Sequence, residues 1–179
     1  MRLWRIAGAS HAVWSGEGAR LYGARWNPAG LPAIYAGTSY AICMLEILVH
    51  ANRGVPPARL RYVQADLPEP VAIERAEMDG IAGWNSANLA AAQAYGGAWL
   101  RSRRSLVLLV PSVVTEGLDW NAVINPLHPA FADIVVGPEH DVAWDPRLRE
   151  NAGGSGGLGG SIGVYADPPK GTAPPALPS

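Results

Sequence analysis

Glu46 is the only formally charged residue between Trp26 and Asn52, and it interrupts the apolar run Ala41-Ile42-Cys43-Met44-Leu45-Glu46-Ile47-Leu48-Val49. A carboxylate in such a run is solvated, paired or chemically used, because burying it unpaired is costly or shifts its pKa. Upstream stand Arg25, in Gly23-Ala24-Arg25-Trp26-Asn27-Pro28-Ala29-Gly30, and Tyr35, in Ile34-Tyr35-Ala36-Gly37. The glycine two positions before Arg25 and Asn27-Pro28 after it imply a tight backbone that fixes where the guanidinium points. Each residue alone has an ordinary reading: a surface ion pair, a core aromatic, an acid at a helix edge. The ordered set of arginine, tyrosine and lone carboxylate is a candidate site for an anionic nucleotide.

Other patterns carry less. Gly154-Ser155-Gly156-Gly157-Leu158-Gly159 matches a dinucleotide fingerprint in form. No strand leads into it and no helix follows, so it lacks the helix N-terminus that binds pyrophosphate. One cysteine and four histidines (His11, His50, His128, His140) show no zinc-ligand spacing. No metal is expected. Ser112, His128 and Asp133 lack the nucleophile-elbow motif of a hydrolase triad.

The chain has 179 residues, 49% of them apolar, which suits one domain with a real core. Its net charge of −1 offers no basic surplus for a phosphate backbone, which weighs against nucleic-acid binding. The single cysteine, Cys43, excludes an internal disulfide and reads as a buried thiol in an apolar helix. The N-terminus lacks a long apolar stretch after its charges, and no run reaches membrane-spanning length. The expectation is a soluble, cytoplasmic protein.

The elements that must position the candidate residues are short. Leu3 to Ile6 and Ala33 to Ala36 read as strands. Thr38 or Ser39 caps a helix running to about Asn52, with Ile42, Met44, Leu45, Leu48 and Val49 as its apolar face and Arg53-Gly54-Val55-Pro56-Pro57 as its end. Further strands are expected at Arg61 to Leu67, Leu106 to Val110, Asp133 to Val136 and Val142 to Trp144, and a second helix at Asn88 to Arg101. Without a regular βαβ repeat, this mixture argues for an α+β fold. Residues 1–150 read as one unit. Residues 151–179 are rich in glycine and proline and are expected to form a flexible tail or linker.

The set from Gly23 to His50 resembles the RES-domain family, toxins of type II toxin–antitoxin pairs whose antitoxin is Xre-like. Downstream, Gly97-Ala98-Trp99-Leu100, Val110-Pro111-Ser112, Asn125-Pro126-Leu127-His128-Pro129 and Trp144-Asp145-Pro146-Arg147-Leu148 fall in the family order. The resemblance spans nearly all of residues 1–150. One departure is that the family's common double glycine before the arginine is Gly23-Ala24 here, and alanine adopts positive φ less readily.

The resemblance implies a fold similar to the ADP-ribosyltransferases and an activity on NAD. Members hydrolyse or phosphorolyse NAD, or transfer ADP-ribose to a protein. By family position Glu46, Arg25, Tyr35 and Ser112 are the catalytic candidates. Arg5, Asn125 and His128 join Arg25, Tyr35 and Ser112 as candidates for NAD binding. The chemistry is coherent. A diphosphate suits arginine's planar, permanently charged fork. A flat nicotinamide needs an aromatic wall such as Tyr35. Breaking the nicotinamide–ribose bond develops an oxocarbenium-like cation, which a carboxylate such as Glu46 stabilises. Ser112 would orient the substrate by hydrogen bonding. The implied partner is an Xre-like antitoxin covering the cleft. Two rivals remain: a protein ADP-ribosyltransferase, and a non-catalytic nucleotide-binding or complex-forming module.

Overall fold

A computed structural model of the protein describes residues 1–51 and 59–150. Eight strands form one mixed sheet in the order β4-β5-β6-β2-β1-β3-β7, with β8 also on β3. They are β1 (Arg2–Gly8), β2 (Ile34–Gly37), β3 (Leu60–Asp66), β4 (Ile73–Arg75), β5 (Val107–Pro111), β6 (Trp120–Ile124), β7 (Val135–Val136) and β8 (His140–Asp141). Only β4 and β5 run parallel; the other pairs are antiparallel. The helices are α1 (Glu17–Tyr22), α2 (Tyr40–His50), α3 (Ala90–Ser102) and the short α4 (Arg147–Glu150). The α+β expectation holds.

The pleat sorts the sheet into two faces. Tyr35 pairs with Val123, and Val123 with Leu108, so these three share a face; Asn121, Gly37 and Val110 lie one step along on the same face. Trp99, Leu100 and Ala92 of α3 pack there with Tyr35, Leu108 and Val123. Beside them Ile42, Cys43 and Ile47 of α2 cover Ile6 of β1. Leu3, Ile34, Ala36, Leu109, Ala122 and Ile124 fill the opposite face. The two long helices therefore meet the sheet on the face that carries Tyr35 and Asn121.

Several expectations need correction. Helix α2 buries Ile42, Cys43, Glu46 and Ile47, while Leu45 and Val49 are exposed. The stripe against the sheet is thus rotated towards the carboxylate. The helix ends at His50 with Ala51 as its C-cap; the expected end near Asn52 and the terminating segment Arg53 to Pro57 lie outside the described residues. Val142 to Trp144 is not a strand. Pairing occurs at β8 instead, and because β3 begins at Leu60, only the Val142 N–H still reaches it, at Leu60 O (3.0 Å). Asp133 closes a 3-10 turn over Pro129–Asp133, leaving only Val135–Val136 as strand. Helix α1 and strands β4 and β6 lie outside the elements expected from the sequence. The Gly/Pro-rich segment 151–179 lies outside the described residues.

Candidate active site

Ser39 caps α2 by accepting the Ile42 N–H (3.2 Å). The helix then lies close on β2 at Gly37, where an added Cβ would stand 2.5 Å from Cys43 Sγ and Ile42 Cγ2. That closeness brings Glu46, 3% exposed, over the ends of β5 and β6. Ser112 Oγ–H donates to Glu46 Oε1 at 2.8 Å, and Asn121 Nδ2–H donates to the same oxygen at 2.6 Å. Ser112 follows β5 two residues after Val110, which pairs with Asn121, so the alternation of the strand aims both donors at one carboxylate.

Arg25 is equally buried, 3% exposed. Its loop is held by the reciprocal Ala24–Asn27 bridge and starts from Gly23 at φ 71°. Ala24 is not among the residues with positive φ, so alanine here causes no backbone strain. Helix α3 supports the loop from behind. Gln93 Nε2–H donates to Ala24 O (3.0 Å), and an added Cβ on Gly96 would stand 1.9 Å from Trp26 O. Arg25 Nη1–H groups donate to Trp84 O (2.7 Å) and Ser86 O (2.9 Å), while buried Nη2 has no hydrogen-bond partner. Burial pulls the guanidinium pKa down from its ordinary 12.5, and the charge of Glu46 opposes that shift.

Tyr35 is a wall and a brace at once. Its hydroxyl accepts the Trp26 N–H (3.0 Å) and donates to Asn27 Oδ1 (2.7 Å). Burial drives its pKa far above the ordinary 10.0, against the pull of the nearby arginines. Between these groups lies a cleft of about 120 Å³, with Arg25, Tyr35, Glu46, His50, Pro111 and Asn121 in its lining. Its walls are mainly apolar, as in most small-molecule sites. His50 Nδ1 lies 2.6 Å from Glu46 O. A carbonyl only accepts, so Nδ1 carries a proton.

The structure thus brings Arg25, Tyr35 and Glu46 together on one cleft, with Ser112 touching Glu46 from behind. Arg5, Asn125 and His128 do not line it. Arg5 Nε–H and Nη1–H donate to Val13 O (2.6 Å) and Tyr35 O (2.5 Å), so it clamps backbone. Asn125, at the other end of β6 from Asn121, donates through Nδ2 to Leu100 O (2.9 Å) and accepts the Leu127 N–H. His128 Nδ1 caps the 3-10 turn by accepting the Ala130 N–H (3.1 Å). Asn121 and His50 are site residues that the sequence reading did not select. Asn121 carried a usable signal, a polar residue opening the apolar run Ala122-Val123-Ile124. Among the described residues no group of three or more His, Cys, Asp or Glu is placed to hold a metal ion, and no helix is long and apolar enough to cross a membrane.

The RES domain family model matches residues 2–145. The chain is 33% identical over 157 residues to the "Prs ADP-ribosylating toxin" of Sphingobium sp. (strain YBL2), covering 83% of this chain and 97% of that one. It is 34% identical over 153 residues to "Toxin Res" of Yersinia enterocolitica serotype O:8 / biotype 1B, covering 83% and 100%. A stretch of 45 residues is 51% identical to the "NAD(+) phosphorylase MbcT" of Mycobacterium tuberculosis, 25% of this chain and 24% of that protein. A chain in the crystal structure of the M. tuberculosis MbcT–MbcA toxin–antitoxin complex superposes with a TM-score of 0.63 at 25% identity, over 84% of this chain and 87% of that one. On the family match and the near full-length relatives, this chain belongs to the RES domain family.

Proposed function

We propose that this protein is a NAD-consuming toxin that breaks the nicotinamide–ribose bond. The observation that carries this reading is the buried Glu46 carboxylate, held by two donors on one oxygen and facing an apolar cleft beside Arg25. The C–N bond breaks with its electron pair leaving on the ring nitrogen, so the pyridinium departs as neutral nicotinamide. A positive charge develops on the ribose, and Glu46 stabilises it. Arg25, whose charged fork lines the cleft, serves the diphosphate. Tyr35 supplies the flat wall for the ring. An oxygen of phosphate or water then bonds the anomeric carbon, with loss of its proton when water attacks. The likeness to a NAD(+) phosphorylase favours phosphate as acceptor.

A second reading, transfer of ADP-ribose to a protein, draws support from the relative named an ADP-ribosylating toxin. Incubation of the purified protein with NAD, with and without phosphate and with and without lysate, separates the readings. Phosphate-dependent loss of NAD supports phosphorolysis, free ADP-ribose supports hydrolysis, and a labelled protein band supports transfer. No loss of NAD in any mixture overturns both, leaving a non-catalytic binding module. The protein acts in the cytoplasm, where NAD is available, and an antitoxin, Xre-like by family resemblance, covers the cleft. The likeness to a toxin–antitoxin complex supports such a partner.

A further inference from the structure

Asn121 is 8% exposed and sits at the start of β6, ahead of three fully buried apolar residues. Its amide is only half satisfied. Nδ2–H donates to Glu46 Oε1 at 2.6 Å, while Oδ1 is buried and has no hydrogen-bond partner. An orphaned buried acceptor bears the full desolvation penalty, and a well-packed apolar residue would fill such a place at no such cost. The fold therefore gains little from an asparagine at this position, and the one thing its side chain does is hold the carboxylate.

We propose that Asn121 is a positioning residue for Glu46. Together with Ser112 it pins Oε1, so that the second carboxylate oxygen, Oε2, which lies 4.0 Å from His50 Nδ1, is held in one orientation beside the cleft. This rests on the reading of Glu46 as the catalytic carboxylate. Preorganised charge accelerates a reaction because it needs no rearrangement when the cation develops, so a loosened carboxylate costs turnover more than binding.

Two variants test this, each checked by thermal melting at every pH used. Asn121→Ala removes the donor, and kcat for NAD should fall by roughly 10- to 100-fold, the scale of a small misplacement of a reacting group, with KM moving by less than about threefold. Asn121→Asp is nearly isosteric and gives a signature that lost packing does not. The new carboxyl donates to Glu46 Oε1 only while protonated; once ionised it repels Glu46. His50, 4.0 Å from Glu46 Oε2, and Arg25 face that carboxylate in variant and wild type alike and are divided out in the ratio of the two. Activity relative to wild type should therefore rise as pH falls from about 8 to about 5, and this arm stands even when the alanine variant does not fold. A folded Asn121→Ala enzyme with kcat within about twofold of wild type overturns the proposal. So does an Asn121→Asp ratio that does not rise with falling pH, whether flat or inactive throughout. Glu46→Gln with normal turnover would instead overturn the reading of the glutamate itself, so the two failures are distinguishable.

Discussion

The Tyr35 hydroxyl donates to Asn27 Oδ1 at 2.7 Å, tying β2 to a loop residue eight positions earlier. Asn27 Nδ2 in turn reaches Ala19 O (2.8 Å) and Leu31 O (3.0 Å). The loop that carries Arg25 is therefore anchored on both sides, and an aromatic residue of the cleft lining is also part of its frame.

Tyr35→Phe keeps the ring and removes this tie, leaving the Trp26 N–H and Asn27 Oδ1 short of a partner. Stability should fall by about 1–3 kcal/mol, the cost of unsatisfied buried groups. The apparent KM for NAD should rise, because Arg25 loses its fixed loop. Chemical denaturation and steady-state kinetics read the two effects. An unchanged KM would show that Arg25 does not depend on this brace.

Arg25→Lys preserves a positive charge but cannot serve Trp84 O, Ser86 O and a substrate at once from a planar fork. Binding of NAD should weaken by about 1–3 kcal/mol, the range for a charge-assisted contact. Titration calorimetry with NAD checks it, and wild-type affinity would remove Arg25 from substrate binding.

Glu46→Gln leaves an amide oxygen able to accept from both Ser112 and Asn121, so the melting temperature should stay within a few degrees. Turnover should drop by roughly 10²-fold or more, because the negative charge that meets the ribosyl cation is gone. Binding should change far less, since that cation exists only in the transition state. A folded variant with near-normal turnover would sink the role of Glu46.

Gly96→Ala places a methyl 1.9 Å from Trp26 O, a backbone atom that cannot step aside cheaply. Overpacking of this kind costs about 1–3 kcal/mol or more. Lower melting temperature together with a raised KM is the expected pair, because α3 backs the Arg25 loop. A melting temperature equal to wild type would show that the loop yields freely.

Burial pushes the Cys43 thiol up to about 12 from its ordinary 9.0. The folded state keeps its proton where the unfolded state loses it, so the unfolded chain binds fewer protons once pH exceeds about 9. Stability from this group is therefore whole below pH 9 and is lost as pH rises towards 12. Tyr35, also shifted upward, adds to the loss above pH 10. Melting temperature should be level up to pH 9 and fall beyond it, and a thiol reagent at pH 8 should label Cys43 only after unfolding. Rapid labelling of the native protein would contradict this.

Local signals made one half of the site legible. Glu46 stands out as the lone charge of an apolar helix, Thr38 or Ser39 as its cap, and Gly23 to Gly30 as a tight loop. The other half depends on pairing. Strand β6 is buried on both faces, so Trp120-Asn121-Ala122-Val123-Ile124 shows no alternation, and a five-residue run of that kind is ambiguous by periodicity. Its register against β2 and β5 is what turns Asn121 towards Glu46. Asn125 and His128 stand in the family order along the chain, and only the fold shows that Asn125 donates to Leu100 O and that His128 caps a 3-10 turn. Arg5, a candidate by family resemblance alone, donates to the backbone carbonyls of Val13 and Tyr35, partners that only the fold brings to it.

Glu46 precedes its two partners by 66 and 75 residues. During synthesis α2 emerges from the ribosome well before β5 and β6 exist, and β2 waits for the strand that will pair with its free edge. A nascent or prematurely terminated chain that stops short of Trp120 carries the carboxylate with neither Asn121 nor the completed sheet to aim it. Only the arrival of β6 supplies the second of the two donors that hold Glu46 Oε1.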